Sequence, residues 1–145
     1  MKALVLLLIV VLNSSFYMND TNHNVSIEIT GIRSPSGKMR VGVYISAKRF
    51  EEKKDSRILT LDKKEIKNQK LNYSFYLEPG TYGLSLLDDE NDNTKMDYNF
   101  IGMPKEGFGF SNYYHSGFTY PKFENFSFII KPNEVKHISI KIRYI

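Results

Sequence analysis

The stretch LNYSFYLEPGTYGLSLL, Leu71 to Leu87, decides the fold class. On one side of Pro79-Gly80, Leu71, Tyr73, Phe75 and Leu77 fall at every second position. On the other side Tyr82, Leu84 and Leu86 do the same. A period of two puts alternate side chains on opposite faces of an extended chain, the pattern of a strand with one face buried. Pro-Gly between two such runs reads as a β-hairpin turn.

The same pattern extends outward in both directions. Val25, Ile27 and Ile29 alternate with Ser26, Glu28 and Thr30, and Met39, Val41, Val43 and Ile45 form a second row. Ser34-Pro35-Ser36-Gly37 lies between them, so this pair also reads as a hairpin. Ala47 to Arg57 lacks alternation and has room for one short helical turn around Phe50. Ile58 to Leu61 is a further short strand. Towards the end, Phe126, Phe128 and Ile130 mark one strand, and Ile138, Ile140, Ile142 and Tyr144 mark another. About seven short strands and no helical pattern of three turns predict an all-β, antiparallel two-sheet sandwich, immunoglobulin-like or transthyretin-like. A small closed barrel is the alternative.

One long connection, Asp88 to about Phe123, breaks the regular spacing. Structureless loops beyond about 15 residues are uncommon in compact domains and are usually functional or disordered. This one is rich in Tyr and Phe, which disordered segments lack. It is therefore expected to be ordered.

Its first half, DDENDNTKMD, places Asp89, Asn91 and Asn93 at alternate positions with Asp97 beyond. Oxygen side chains so spaced are candidate ligands for calcium, which takes about 6–8 oxygens. Against an EF-hand template the match stops short: Thr94 stands where Gly is required and Phe100 where the bidentate Glu is required. Asp88, Glu90 and Glu106 are further oxygens within reach. The alternative is an ordinary polar turn, in which Asp and Asn bond their own backbone. Crowding favours a cation, because Lys95 is the only positive charge among the five carboxylates of residues 88–97.

The second half holds Glu106, Phe108, Phe110, Ser111, Asn112, Tyr113, Tyr114 and His115, a candidate ligand-contact loop. Exposed rings there would stack on a sugar or peptide, and Phe108, Phe110, Tyr113 and Tyr114 together would form an adhesive patch. The alternative is that they cap the core.

The rest of the composition narrows the function. Cysteine is absent, which excludes disulfides, thiolate metal sites and a lipid-modified cysteine. The net charge is +4 and the Lys and Arg are scattered, which disfavours nucleic acid as a partner. Residues 1–16, MKALVLLLIVVLNSSF, follow the charge, apolar, small-polar order of a signal peptide. The apolar run, about ten residues, is too short for a membrane span of about 20. The expectation is a leader and tether over 1–22 and one extracytoplasmic domain over 23–145, periplasmic or secreted, with no transmembrane segment after cleavage.

Three stretches carry a resemblance: Pro79-Gly80-Thr81-Tyr82, the acidic run Asp88 to Asn93 with Asp97, and Gly102-Met103-Pro104-Lys105-Glu106-Gly107-Phe108-Gly109-Phe110-Ser111-Asn112. Together they resemble DUF2141, a family of uncharacterised bacterial secreted proteins, over about Asn24 to Ile145. The family pattern has Gly where this chain has Thr94, and commonly Ile where it has Met103. The resemblance implies a periplasmic or secreted β-sandwich domain and lends no activity.

The leading expectation is an exported, non-catalytic binding or structural domain whose partner is a glycan or an envelope protein, with calcium as the candidate cofactor. The rival is a small extracytoplasmic hydrolase acting on glycan or peptide, using Glu106 or Asp97 with His115.

Overall fold

The structure, a computed structural model, describes residues 23–145. The expected leader and the start of its tether, residues 1–22, lie outside the described residues. The strands are β1 (Val25–Thr30), β2 (Lys38–Tyr44), β3 (Arg57–Asp62), β4 (Lys70–Phe75), β5 (Gly80–Asp89), β6 (Gly107–Phe110), β7 (Ser127–Ile130) and β8 (Lys136–Lys141). Two short helices, α1 (Ala47–Glu51) and α2 (Phe123–Phe126), complete the order. One sheet runs β4-β1-β8; the other runs β3-β2-β5-β6, with β7 also on β5.

The inward rows of the two sheets meet as one core. Val25, Ile27 and Ile29 from β1 and Ile138 and Ile140 from β8 face Met39, Val41 and Val43 from β2 and Leu84 and Leu86 from β5, all buried. The two-sheet sandwich is thus the fold, and most of its strand pairs are antiparallel.

The pairing differs from the expected one in three ways. First, neither Ser34-Pro35-Ser36-Gly37 nor Pro79-Gly80 closes a hairpin: β1 and β2 lie in opposite sheets, as do β4 and β5. Both turns carry the chain across the sandwich. Alternation survives such a crossing unchanged, because each strand still buries one face. Second, β1 pairs with β8 in parallel, Val25 beside Lys136 through Thr30 beside Lys141. Third, an eighth strand, β6, lies inside the long connection.

β6 has the sequence GFGF, and its inward positions are Gly107 and Gly109. A Cβ on Gly107 would come within 2.6 Å of Ile142 and 2.4 Å of Tyr144; one on Gly109 would meet Ile140 at 2.7 Å. The C-terminal strand runs close beneath, and Phe108 and Arg143 exchange backbone hydrogen bonds of 3.0 and 2.8 Å. These bonds tie the two sheets together along one side.

β5 is long enough for one edge to take two partners. β7 pairs with Gly80–Gly83 and β6 with Ser85–Asp88. Leu84 falls in the gap, and Ser111 fills it. Its backbone N–H donates to the Leu84 carbonyl at 3.0 Å, its Oγ accepts from the Leu84 N–H at 2.9 Å, and its hydroxyl donates to the Phe126 carbonyl at 2.6 Å.

A second apolar cluster sits on the outer face of the larger sheet: Phe50 from α1, Phe110 from β6, and Phe123 and Phe126 from α2. The expected helical turn around Phe50 is α1, capped by Ser46. Gly83 lets α2 lie against β5, since a Cβ there would be 2.6 Å from the Phe126 ring. The cluster covers part of this face and leaves the rest open.

Candidate functional site

The uncovered part of that outer face is a cleft of about 490 Å³. Its floor comes from the outward positions of three strands: Arg40, Gly42 and Tyr44 on β2, Ser85 and Leu87 on β5, Phe108 and Phe110 on β6. Gly42 keeps the floor level, because a Cβ there would press on Ser85 Oγ and the Tyr44 ring at 3.2 Å each. Burial raises the Tyr44 phenol above its usual pKa, and its contact with Ser85 opposes that rise.

One wall is the segment Thr94 to Pro104, including Met96, Tyr98 and Met103. It is a tight excursion. Tyr98 bridges to Pro104, Asn99 N–H donates to the Met103 carbonyl at 2.9 Å, and the Asn99 side chain accepts from Ile101 and Met103 N–H. The opposite wall, His115 to Pro121, is held by Arg143, which donates to the carbonyls of His115 and Gly117 at 2.8 and 2.7 Å. Tyr120 leans on Phe50 at 5.5 Å between centroids.

The acidic loop is the foot of the first wall. Asp89 is fully buried and ion-paired with Arg40. It also accepts from the N–H groups of Asn93 and Thr94, both at 2.9 Å. Burial pushes against ionisation, yet Arg40 and the two N–H groups hold the Asp89 carboxyl below its usual range. Thr94 takes a left-handed φ of 72°, the conformation the Gly of the family pattern would adopt freely. Asp97 accepts from the side-chain amides of Asn91 and Asn93 at 2.7 and 2.9 Å. Glu106, buried, receives the N–H groups of Glu90 and Asp97, each at 3.1 Å.

The four candidate calcium ligands, Asp89, Asn91, Asn93 and Asp97, are therefore brought together, and their oxygens engage protein donors. The expected shortage of positive charge is not found. Arg40 reaches Asp92 at 2.6 Å as well as Asp89, Arg33 grips Glu90 at 2.7 and 2.9 Å, and buried Lys63 pairs with Asp88. Among the described residues no group of three or more His, Asp or Glu side chains is arranged to hold a metal ion.

The aromatic run separates into different roles. Phe108, Phe110 and His115 line the cleft. Ser111 is the buried stitch described above. Asn112 binds β8, with its N–H on the Ser139 carbonyl at 2.8 Å and its Oδ1 accepting from Ser139 N–H at 2.9 Å. Tyr113 is half-buried beside His115, and Tyr114 is exposed, with the Lys141 ammonium 5.1 Å from its ring. An adhesive patch would need Phe108, Phe110, Tyr113 and Tyr114 exposed together and is not formed, because Phe110 is buried and Phe108 and Tyr113 are half-buried. Of the residues named for a hydrolase, Glu106 and Asp97 accept hydrogen bonds within the acidic loop, and His115 lines the cleft.

The sequence reading missed the floor. Arg40, Gly42, Tyr44, Ser85 and Leu87 stand on the side of each strand that alternation assigns to solvent. The one available signal was the pair of small residues, Gly42 and Ser85, which are cross-strand neighbours.

The fold and the cleft define a small β-sandwich domain with an aromatic-walled cleft on the outer face of its larger sheet. The chain belongs to the bacterial family DUF2141, described as an uncharacterised protein conserved in bacteria, whose model matches residues 27–138. No significant match was found among curated proteins or solved structures.

Proposed function

We propose that this chain is an exported, non-catalytic binding domain that seats a small ligand in the cleft on the outer face of its larger sheet. One observation carries the reading. Six aromatic rings, Tyr44, Tyr98, Phe108, Phe110, Phe118 and Tyr120, line a cleft of about 490 Å³. Ligand sites typically measure roughly 300–1,000 Å³ and are lined by apolar and aromatic side chains around a few polar groups. Both walls are braced, one through the acidic loop and one through Arg143, so the cleft exists before a ligand arrives and little ordering opposes binding. Export is supported by the order of residues 1–16. Among the described residues no helix is long and apolar enough to cross a membrane.

A thermal-shift screen of small molecules against the purified protein tests the reading. Ligands that raise the melting temperature should lose their effect in Phe118→Ser and Tyr98→Ser. Phe118 is 84% exposed and Tyr98 54%, so these changes spare the core. Hits that are indifferent to both substitutions would overturn the assignment.

A further inference from the structure

We propose that Lys63 and Asp88 condense into an amide, a covalent cross-link that the fold makes from its own side chains. Asp88 stands in the inward row of β5, after Leu84 and Leu86, at the end of the core. Lys63 opens the short helical turn Lys63–Glu65 that follows β3. The two side chains meet out of reach of water, Lys63 1% exposed and Asp88 0%. Nζ of Lys63 lies against Oδ1 of Asp88. The contact is not a hydrogen bond, because Oδ1 is buried and has no hydrogen-bond partner among the described residues. Burying a charge is costly unless it is both paired and hydrogen-bonded. An exception calls for an explanation, and here the explanation is a carboxyl placed against an amine as its reaction partner.

The surroundings arrange both groups. Nζ donates to the carbonyls of Ser34 and Ser36 at 3.2 and 2.6 Å. Two of its three N–H bonds are so engaged, and the third position faces the carboxyl. When that third proton passes to Oδ1, two buried charges vanish together and the nitrogen lone pair faces Asp88. The lone pair attacks Cγ, and the N–C bond forms. The Tyr144 hydroxyl donates to Oδ2 at 2.5 Å and stabilises the negative charge that grows there. Burial keeps that phenol protonated beyond its usual pKa. Arg33 braces it, with its N–H donating to the phenol oxygen at 3.2 Å and its guanidinium 4.1 Å from the ring centre. A second proton then leaves the nitrogen for Oδ1, the Cγ–Oδ1 bond breaks, and Oδ1 departs as water. The ammonium supplies both protons of that water, so ammonium and carboxylate become one amide and one water with no co-reactant. Holding two reactants in contact is worth an effective concentration of roughly 10⁵–10⁸ M when they are well oriented. The amide removes one charge of each sign, so the balance of the acidic loop is unchanged. The chain has no cysteine, and this bond would tie the end of β3 to the root of the acidic loop without one.

Intact-mass spectrometry of the purified protein is the test. The main species should be lighter than its chain requires by one water. A tryptic digest should contain one branched peptide that joins Lys63 to Asp88. Lys63→Met should restore the full mass, and Tyr144→Phe should leave part of the chain without the cross-link. A wild type at its full mass overturns the proposal, and that measurement needs no variant to fold. A water lost within a linear peptide, or still lost in Lys63→Met, also overturns it, since an aspartate that cyclises onto its own backbone loses the same mass. Complete cross-linking in Tyr144→Phe overturns the role given to the phenol.

Discussion

Arg40 and Asp89, 49 residues apart in the chain, form an ion pair in which the Asp89 side chain is fully buried and the Arg40 side chain 17% exposed. The pair links the floor of the cleft to the foot of its first wall, because Asp89 also holds the N–H groups of Asn93 and Thr94.

Removing the guanidinium leaves Asp89 as a buried charge without its partner. Arg40→Met should therefore cost about 3 kcal/mol, at the lower end of the range for breaking a buried pair. For a domain of this size the melting temperature should fall by roughly 10 °C. Proteolysis near residues 90–97 should accelerate in the same variant. A melting curve indistinguishable from wild type would show that the pair does not hold the wall.

The acid and alkaline limbs of stability should have different owners. Arg33 holds Glu90 below its usual pKa against the opposing effect of burial, and Asp89 is depressed as well. Native carboxylates with depressed pKa values release their protons more readily than the unfolded chain, whose Asp and Glu titrate near 3.9 and 4.3. Their contribution is complete above about pH 5 and fades as pH falls through 4 and below. The urea midpoint should follow that course, with a shallower fall in Arg40→Met. At the other end, burial and the 2.5 Å hydrogen bond to Asp88 push the Tyr144 phenol upward. Its contribution is complete below about pH 10 and is lost as pH rises further. Tyr144→Phe should flatten the alkaline limb.

Ser111→Ala removes both bonds made by the hydroxyl and leaves the Leu84 N–H and the Phe126 carbonyl without it. Two buried backbone groups losing a partner should cost about 2 kcal/mol or more. The urea midpoint should drop with the slope of the transition unchanged, since the surface exposed on unfolding stays the same. Ser111→Thr, which keeps the hydroxyl, should recover part of the loss.

Calcium at millimolar concentration should leave the melting temperature where a chelator leaves it. Asp89 and Asp97 already accept from protein donors, and Arg33, Arg40 and Lys63 supply the positive charge. A rise in melting temperature with calcium that Asp97→Ala abolishes would overturn this expectation and restore the loop as a cation site.

The core was legible in the sequence because burial leaves a period of two along most of the strands, although two residues of the expected inward rows, Tyr73 on β4 and Ile45 just beyond β2, are exposed. Val25, Ile27 and Ile29 or Ile138, Ile140 and Ile142 point inward whatever their neighbours are. Pairing left no such trace. A turn such as Pro79-Gly80 shows that the chain reverses, and a strand that crosses to the opposite sheet alternates just as one that returns beside its predecessor. β6 was hidden for a related reason. Its inward positions are glycines, because Ile140, Ile142 and Tyr144 occupy the space their side chains would need. The charge balance of the acidic loop misled because it was counted along the chain. Its counter-ions lie at positions 33, 40 and 63, and only the fold brings them near. The cleft floor was illegible because alternation separates inside from outside without showing which outside face is open water.

The parallel pairing of β1 with β8 also sets an order of events. β1 is the central strand of its sheet, and one of its two neighbours is the last strand of the chain. Until residues 136–141 have been made, Ile27 and Ile29 lack Ile138 and Ile140 beside them, and the sheet is a two-stranded ribbon. The contact spans nearly the whole domain, which is the kind of long-range closure that slows folding. Completion of the domain therefore waits for its C-terminus. A chain shortened before β8 should stay open however intact its other seven strands are.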